Sequence, residues 1–344
     1  MGLDGQQKPR PSFVDSFWEH LDAAVRIEAE RRLAEFVRRQ NTSKWIIAAD
    51  FCIRDQTRPN DSFAFVILPA GDKFRQTQAL LGELPSSDLK DARRIHPALK
   101  RALTDGRAFT FCFVADRERR LYVDAEAARR SLDESIAMME QWENAYECGE
   151  IIGKVRAMRA EAAKSNLNLR LIEDLTITAA FAAYLVALLC RLGSVELVGW
   201  APDRGKIAEC YSGIASTLFE INVASYCGRH GLKKPQLGLF TQTSEDPWCD
   251  PMIRLADYVA GVAAWDPPVD EKVHPKIAEL ISHVFADNRR LFVFRIAFRA
   301  FDGQGRIEIA QVRISKAVPT GRPRERRRVV PLRGRSLQLK DGGG

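Results

Sequence analysis

Three aspartates interrupt otherwise apolar stretches of this 344-residue chain, at positions where a carboxylate needs a partner. Asp50 breaks the apolar run of residues 45–53, which is typical of a central strand buried on both sides. Asp203 follows the end of another predicted strand, and Asp257 lies one turn past Ile253, on or beside the apolar face of a predicted helix. A carboxylate in such surroundings costs free energy unless a cation or a hydrogen-bond donor compensates its charge.

If these three carboxylates meet, their charges repel one another and their pKa values rise unless a cation neutralises them. Carboxylate oxygens are hard ligands that suit Mg²⁺ or Mn²⁺. Two such ions about 4 Å apart can activate water and stabilise the leaving oxygen in phosphodiester cleavage. The sequence therefore predicts a divalent-metal site in which Asp50, Asp203 and Asp257 are both ligands and catalytic residues.

Each of these positions also has a simpler interpretation. Asp257 could lie at the edge of the apolar stripe and point at water or at an arginine, and Asp203 belongs to the turn sequence Pro-Asp-Arg-Gly. The remaining candidates are acidic residues at predicted helix ends, where solvation, the helix dipole or an N-cap accounts for a carboxylate. They are Glu83, Glu173, Asp174 and Asp250.

The elements that must position the aspartates follow a definite order. Strands are predicted at 44–54, 62–68, 107–115, 195–200 and 235–243, with helices after the third, fourth and fifth strands. This order is similar to that of the ribonuclease H-like fold, a mixed five-stranded α/β sheet with helices on both faces. In such a sheet the end of the first strand, the end of the fourth and the helix after the fifth converge on one crevice.

The chain divides into four predicted regions. Residues 1–43 hold an N-terminal helix, and 44–265 form the ribonuclease H-like core with helical insertions. Residues 266–314 contain a further helix and a C-terminal β-hairpin, whose turn is predicted around Asp302-Gly303-Gln304-Gly305. Residues 315–344 form a basic tail that is predicted to be disordered.

Two short motifs make the chain resemble the DUF3800 family of uncharacterised bacterial and phage proteins, which are expected to be ribonuclease H-like. The family has an Asp-Glu pair on the first strand, where this chain has Asp50-Phe51. The family has Gln-x-x-Asp on the closing helix, where this chain has Arg254-Leu255-Ala256-Asp257. The resemblance covers about residues 44–265 and implies a nuclease-type site that keeps both aspartates.

The two departures from the family pattern leave alternatives open. Phe51 removes a candidate metal ligand or base, and Arg254 offers Asp257 a salt-bridge partner one turn away. The chain is therefore predicted to be either a metal-dependent nuclease or a catalytically degenerate binding or assembly subunit, for example in a phage-defence complex. A small-molecule enzyme is the weakest alternative, because neither GxGxxG nor GxxxxGK[ST] occurs in the sequence.

Charge indicates a further partner. The net charge is +7, yet residues 313–344 alone carry eight arginines and two lysines against two acidic residues, which is +8. Such a run can bind nucleic-acid phosphates without sequence specificity, or it can dock onto an acidic protein partner. The arginines predicted to contact RNA or DNA are Arg322, Arg324, Arg326, Arg327 and Arg328.

Cysteine usage and hydropathy indicate the compartment. None of the seven cysteines has CxxC spacing, which predicts reduced core thiols in a cytoplasmic protein. The uncharged stretch 175–190 is shorter than a typical membrane span, so it predicts a buried core helix and no membrane association.

Overall fold

The computed structural model describes residues 13–71, 74–84, 87–142, 149–164, 168–240, 248–265, 274–301 and 304–314. The predicted basic tail, including Arg322, Arg324, Arg326, Arg327 and Arg328, lies outside these ranges. The strands are β1 (Lys44–Cys52), β2 (Asn60–Ala70), β3 (Phe109–Asp116), β4 (Leu197–Pro202), β5 (Gln236–Leu239), β6 (Leu291–Phe301) and β7 (Gln304–Val312).

The helices of the described ranges alternate with these strands. They are α1 (Phe13–Val25), α2 (Arg31–Gln40), α3 (Phe74–Gly82), α4 (Pro97–Thr104), α5 (Ala125–Glu140), α6 (Gly149–Glu161), α7 (Leu169–Leu192), α8 (Lys206–Arg229), α9 (Asp250–Ala263) and α10 (Pro275–Leu280). Two π-helical turns complete the set: Arg26–Glu30 joins α1 to α2, and Ile281–Phe285 extends α10.

The strands form one mixed sheet in the order β5-β4-β1-β2-β3-β6-β7. Strand β1 runs antiparallel to β2 and parallel to β4, and β2 runs antiparallel to β3. The predicted α/β class is confirmed. The sheet has seven strands rather than five, because β6 pairs with β3 and the C-terminal hairpin therefore continues the same sheet.

The side chains of β1 alternate between the two faces of the sheet, and helices cover both faces. Trp45, Ile47 and Ala49 belong to a core with α1, α2 and α5 to α8, whereas Ile46 and Ala48 belong to a core with α3, α4, α9 and α10. Because side chains of successive strand residues point to opposite faces, β1 needs to be apolar throughout. That requirement accounts for the continuous apolar run in the sequence.

Helix α7 contains the uncharged stretch 175–190 and is buried along almost its whole length. By length and composition it could cross a membrane, but 78% of its most apolar window is buried inside the protein. It packs against α8 beneath the sheet. The cysteines of the described ranges are free thiols, and Cys148 lies outside those ranges.

Two predicted elements are shorter than expected. The sequence pattern of residues 86–104 predicts one helix, whereas the structure has only α4 there, which begins at Pro97 with the His96 side chain accepting a hydrogen bond from the Ala98 N–H. Residues 87–92 before it form turns. The strand predicted at 235–243 is β5, which ends at Leu239, and residues 241–247 lie outside the described ranges.

Candidate carboxylate site

Strand β1 fixes the position of Asp50. The strand is hydrogen-bonded to β2 on one side and to β4 on the other, and Asp50 lies opposite Ala64 of β2. Alternation places Asp50 on the face covered by α9, together with Ile46 and Ala48. Its Oδ1 atom accepts a hydrogen bond of 2.6 Å from the N–H of Phe51. The carboxylate is therefore attached to a strand that is hydrogen-bonded on both sides.

Helix α9 presents Asp257 to the same face of the sheet. The helix packs on β1 and β2, and Asp257 Oδ2 accepts a hydrogen bond of 2.7 Å from the N–H of Leu89. A Cβ atom on Gly261 would lie 2.5 Å from Leu89 Cδ2. The glycine therefore lets the turn around Leu89 approach α9 closely enough to hold the carboxylate.

The parallel pairing of β1 with β4 places Asp203 beside Asp50. Ala49 lies opposite Pro202, the last residue of β4. The N–H of Asp203 then donates a hydrogen bond of 2.8 Å to the Ala49 carbonyl. This hydrogen bond holds Asp203 at the same end of the sheet as Asp50, which follows Ala49 on β1.

Asp50 of β1 and Asp257 of α9 lie on elements that pack against each other, and the negative charge of Asp257 acts on the Asp50 carboxyl group. Burial raises the pKa of Asp50 well above its ordinary value, and the negative charges of Asp257 and Asp203 raise it further. Burial also raises the pKa of Asp257, with a smaller increase from the charge of Asp88. Repulsion between buried carboxylates is relieved by a proton or by a cation, so these aspartates lack a compensating positive charge.

Burial raises the pKa of Asp203 to about 6, against a hydrogen bond from the Arg204 N–H that lowers it. The charges of Asp257, Asp88 and Asp250 add to the increase. The structure thus brings the three predicted aspartates within electrostatic range of one another, with two further carboxylates nearby.

Asp88 is the nearby carboxylate that the sequence did not indicate, whereas Asp250 is one of the remaining sequence candidates, with a simpler role as an N-cap. Asp88 falls where a helix is predicted, although it lies in the turn that carries Leu89. Asp250 is not the N-cap that the sequence suggests, because Cys249 occupies the cap position and Asp250 is the first residue of α9.

The donor set can be tested against a metal ion. All candidate ligands are carboxylate oxygens, and their raised pKa values reflect a shortage of positive charge, which a hard divalent cation would relieve. Among the described residues, however, no three His, Cys, Asp or Glu side chains are arranged so that they could hold one ion. The chemistry of the donors fits Mg²⁺ or Mn²⁺, whereas the arrangement of the described side chains does not present three ligands to one ion.

Phe51 and Arg254 are the two residues that depart from the DUF3800 pattern, and the structure shows what each side chain contacts. Phe51 points to the opposite face of the sheet, where its ring packs 6.1 Å from Phe63 and 6.0 Å from Phe65 between centroids. A side chain at position 51 is therefore directed away from Asp50. No ion pair of the described ranges joins Arg254 to Asp257, and the buried Arg254 Nε has no hydrogen-bond partner. The expected salt bridge is absent from this part of the chain.

Glu83 is a surface residue, as its helix-end position suggests. Its Oε2 atom lies 2.6 Å from Nη2 of Arg101, and both side chains are more than half exposed. This pair does not belong to the carboxylate site. Exposed ion pairs of this kind contribute little to stability.

Glu173 and Asp174 differ from the expected solvated helix start. Both are buried, with relative exposures of 1% and 3%. Glu173 accepts the N–H groups of Leu121 and Tyr122 at 2.8 and 3.0 Å. Asp174 pairs with Arg119 and with Arg54, whose Nη2 lies 2.6 Å away.

Arg119 also pairs with the buried Asp61 of β2, and its guanidinium lies 5.4 Å from the ring centroid of Phe63. These ions therefore form a network beside the core that contains Phe51 and α7, on the other face of the sheet from Asp257. Its physical role is to satisfy buried charges rather than to complete the candidate site.

Comparisons of the chain with protein-family models, with curated proteins and with solved structures give no match. The similarity to the DUF3800 family therefore stays a prediction. The strand order and the carboxylate contacts are the observations that bear on function.

Proposed function

We propose that the protein is a metal-dependent nuclease built on a ribonuclease H-like fold. The sub-sheet β3-β2-β1-β4-β5, in which β2 alone is antiparallel, supports this assignment because it is the order that the fold requires. In open α/β sheets, ligands bind at the carboxyl ends of the parallel strands. The candidate site lies at the carboxyl ends of β1 and β4.

The single observation that carries the proposal is the convergence of the buried Asp50 with Asp257 and Asp203, whose negative charges both raise the pKa of Asp50. These carboxylates come from three separate elements, so their meeting is not a by-product of local sequence. Buried carboxylates whose charges repel one another are stabilised by a proton or a cation. A divalent cation would supply the positive charge that activates water and stabilises the leaving oxygen of a phosphodiester.

The three aspartates would have different roles in the reaction. Asp50 is held by β1 and Asp257 by the N–H of Leu89, so both oxygens are oriented before a ligand binds. Asp203, with its pKa raised to about 6, changes protonation state close to neutral pH. A carboxylate of that kind can take the proton of an attacking water.

The test is cleavage of labelled single- and double-stranded RNA and DNA by the full chain in Mg²⁺ or Mn²⁺. Asp50→Asn and Asp257→Asn should each reduce cutting at least about 100-fold, as is usual when a group that stabilises the transition state is removed. Their melting temperatures should stay the same or rise, because each change removes a charge repulsion.

Asp91→Asn is the matched control, since Asp91 is an exposed aspartate on the same turn as Leu89. It should cut at the wild-type rate. Wild-type cutting by both Asp50→Asn and Asp257→Asn would refute the site, whatever the substrate.

A second candidate is a catalytically degenerate subunit of the same fold that binds or assembles with other molecules. The absence of a three-ligand group among the described side chains favours it. It requires that Mn²⁺ leaves the melting temperature of the wild-type protein unchanged and that no nucleic acid is cut. If Mn²⁺ raised the melting temperature of the wild type but not that of Asp50→Asn, this second candidate would be excluded.

A further inference from the structure

A cavity of about 370 Å³ lies at the β7 edge of the sheet, away from the carboxylates. Its walls come from the π turn that follows α1, the residues that follow α10, and the paired ends of β6 and β7. Both π turns of the described chain border it, the first through Ile27 and Glu28 and the second through Phe285. Such turns occur frequently at functional sites, and the volume is that of a small-ligand pocket.

One wall of the cavity is held in place by hydrogen bonds. Asp287 adopts a left-handed conformation with φ of 58°, and its N–H donates to the Ile314 carbonyl at 2.9 Å. The side-chain amide of Asn288 donates to the carbonyls of Leu103 and Val284 at 3.1 and 2.8 Å. The turn between α10 and β6 is therefore tied to β7 and to α4, which pre-organises the residues that it carries.

The lining carries an excess of positive charge. Four arginines and two acidic residues contribute to it: Arg31, Arg32, Arg289, Arg313, Glu28 and Asp287. Arg313 is neutralised by an ion pair with Glu28, and Arg31 lies 3.9 Å from Glu35. Within the described part of the chain, neither Arg32 nor Arg289 has an ion pair or a side-chain hydrogen bond.

The positive charge continues beyond the cavity. Burial lowers the pKa of Arg290, and the positive charge of Arg39 lowers it further. The guanidinium groups of Arg39 in α2 and of Arg290, just before β6, therefore repel each other. Ile314 lines the cavity, and the residues that follow it, 315–344, hold seven arginines and two lysines against two acidic residues. A single phosphate group could not neutralise the positive charge of the cavity and of residues 315–344 together.

We propose that the cavity binds a phosphate group of a nucleic-acid backbone, with Arg32 and Arg289 as the contacting cations. A guanidinium offers two parallel N–H donors to phosphate oxygens, which suits this ligand better than an ammonium. Ile27 is 65% exposed at the rim and offers an apolar surface to a sugar or base.

The site is separate from the proposed nuclease centre. Strands β1 and β7 are four strand spacings apart, which is about 19 Å at ordinary strand spacing. Binding at the cavity does not depend on cleavage, so it is measured in the presence of EDTA. A failure of this proposal therefore leaves the nuclease proposal standing, and the reverse is equally true.

The experiment measures the affinity of the full chain for a fluorescent single-stranded DNA of about 20 nucleotides as a function of salt. The test variant carries Arg32→Gln and Arg289→Gln. Each lost phosphate contact lowers the slope of log affinity against log salt by ~0.7 for a single strand. Two lost contacts therefore weaken binding about 25-fold at about 0.1 M salt, when affinities at about 1 M salt are equal.

The matched control carries Arg120→Gln and Arg130→Gln, which removes the same charge from exposed positions before and within α5. It should weaken binding less than about threefold, and Arg32→Lys with Arg289→Lys should restore most of the affinity. Equal losses in the test and control variants would overturn the proposal, because the tail and general charge would then account for binding.

Inorganic phosphate separates the two sources of the ligand chemistry. Calorimetric titration with phosphate should give no more than weak binding to the wild-type chain. If phosphate binds in a manner that the Arg32/Arg289 variant abolishes, while DNA binds both proteins equally, the ligand is a free phosphate and the nucleic-acid assignment is overturned.

Discussion

Replacing Asp203 by asparagine should stabilise the protein at alkaline pH and leave it unchanged in acid. The pKa of Asp203 is raised from 3.8 to about 6 in the folded state, first by burial and then by the neighbouring carboxylates. The folded state therefore keeps its proton at a pH where the unfolded chain has lost it. Stability falls as pH rises from about 4 to about 6, and it stays lower above that range.

The size of the effect follows from the same values. A difference between 3.8 and about 6 corresponds to about 3 kcal/mol, at ~1.36 kcal/mol for each pH unit. Asp203 is only partly buried, and solvent screening reduces this figure to about 1–2 kcal/mol. Asparagine has nearly the same shape and no charge, so the variant should recover that free energy at pH 8.

The assay is urea unfolding at pH values from 4 to 8, with Asp91→Asn as an exposed control. The gain for Asp203→Asn should be absent near pH 4, grow through pH 5 and 6, and level off above pH 7. The control should stay within about 0.5 kcal/mol of the wild type throughout. A gain that is independent of pH, or a loss at pH 8, would refute the raised pKa of Asp203.

Two further substitutions test how the chain holds its charges. Arg119→Met should lower the free energy of unfolding by about 3–5 kcal/mol, because it leaves Asp61 and Asp174 buried without their shared cation, and urea unfolding measures this directly. Gly261→Ala should place a methyl group against Leu89 and cost about 1–3 kcal/mol. It should also speed amide exchange at Leu89, whose N–H then loses Asp257, and unchanged exchange there would contradict the packing described above.

The sequence was sufficient to predict the α/β class and the elements that carry the three aspartates. Asp50 was recognisable because a single charge interrupts an apolar strand, and Asp257 because it falls beside the apolar face of a helix. Both signals are local, and both depend on the high free-energy cost of burying a carboxylate without compensation. The position of Asp203 followed from the alternation of strands and helices.

Contacts between distant parts of the chain could not be predicted in this way. The N–H of Leu89 meets Asp257 across 168 residues, so nothing near Asp88 indicates that its turn belongs to the site. The pairing of β6 with β3 is similarly non-local, because a strand's own pattern does not name its partner. Glu173 and Asp174 are predicted at a helix start, whereas α7 begins at Leu169 and its packing buries both side chains.

The position of Ile314 in the cavity wall has a consequence for avidity. The 30 residues that follow it are covalently anchored beside the cavity, and their contour length cannot exceed about 100 Å. If the cavity and the tail both bind nucleic acid, as proposed above, a strand held by one is presented to the other at a high effective concentration, so that two weak contacts act as one strong contact. The affinity of the intact chain should therefore exceed the sum of the affinities measured for the separated tail and the separated body.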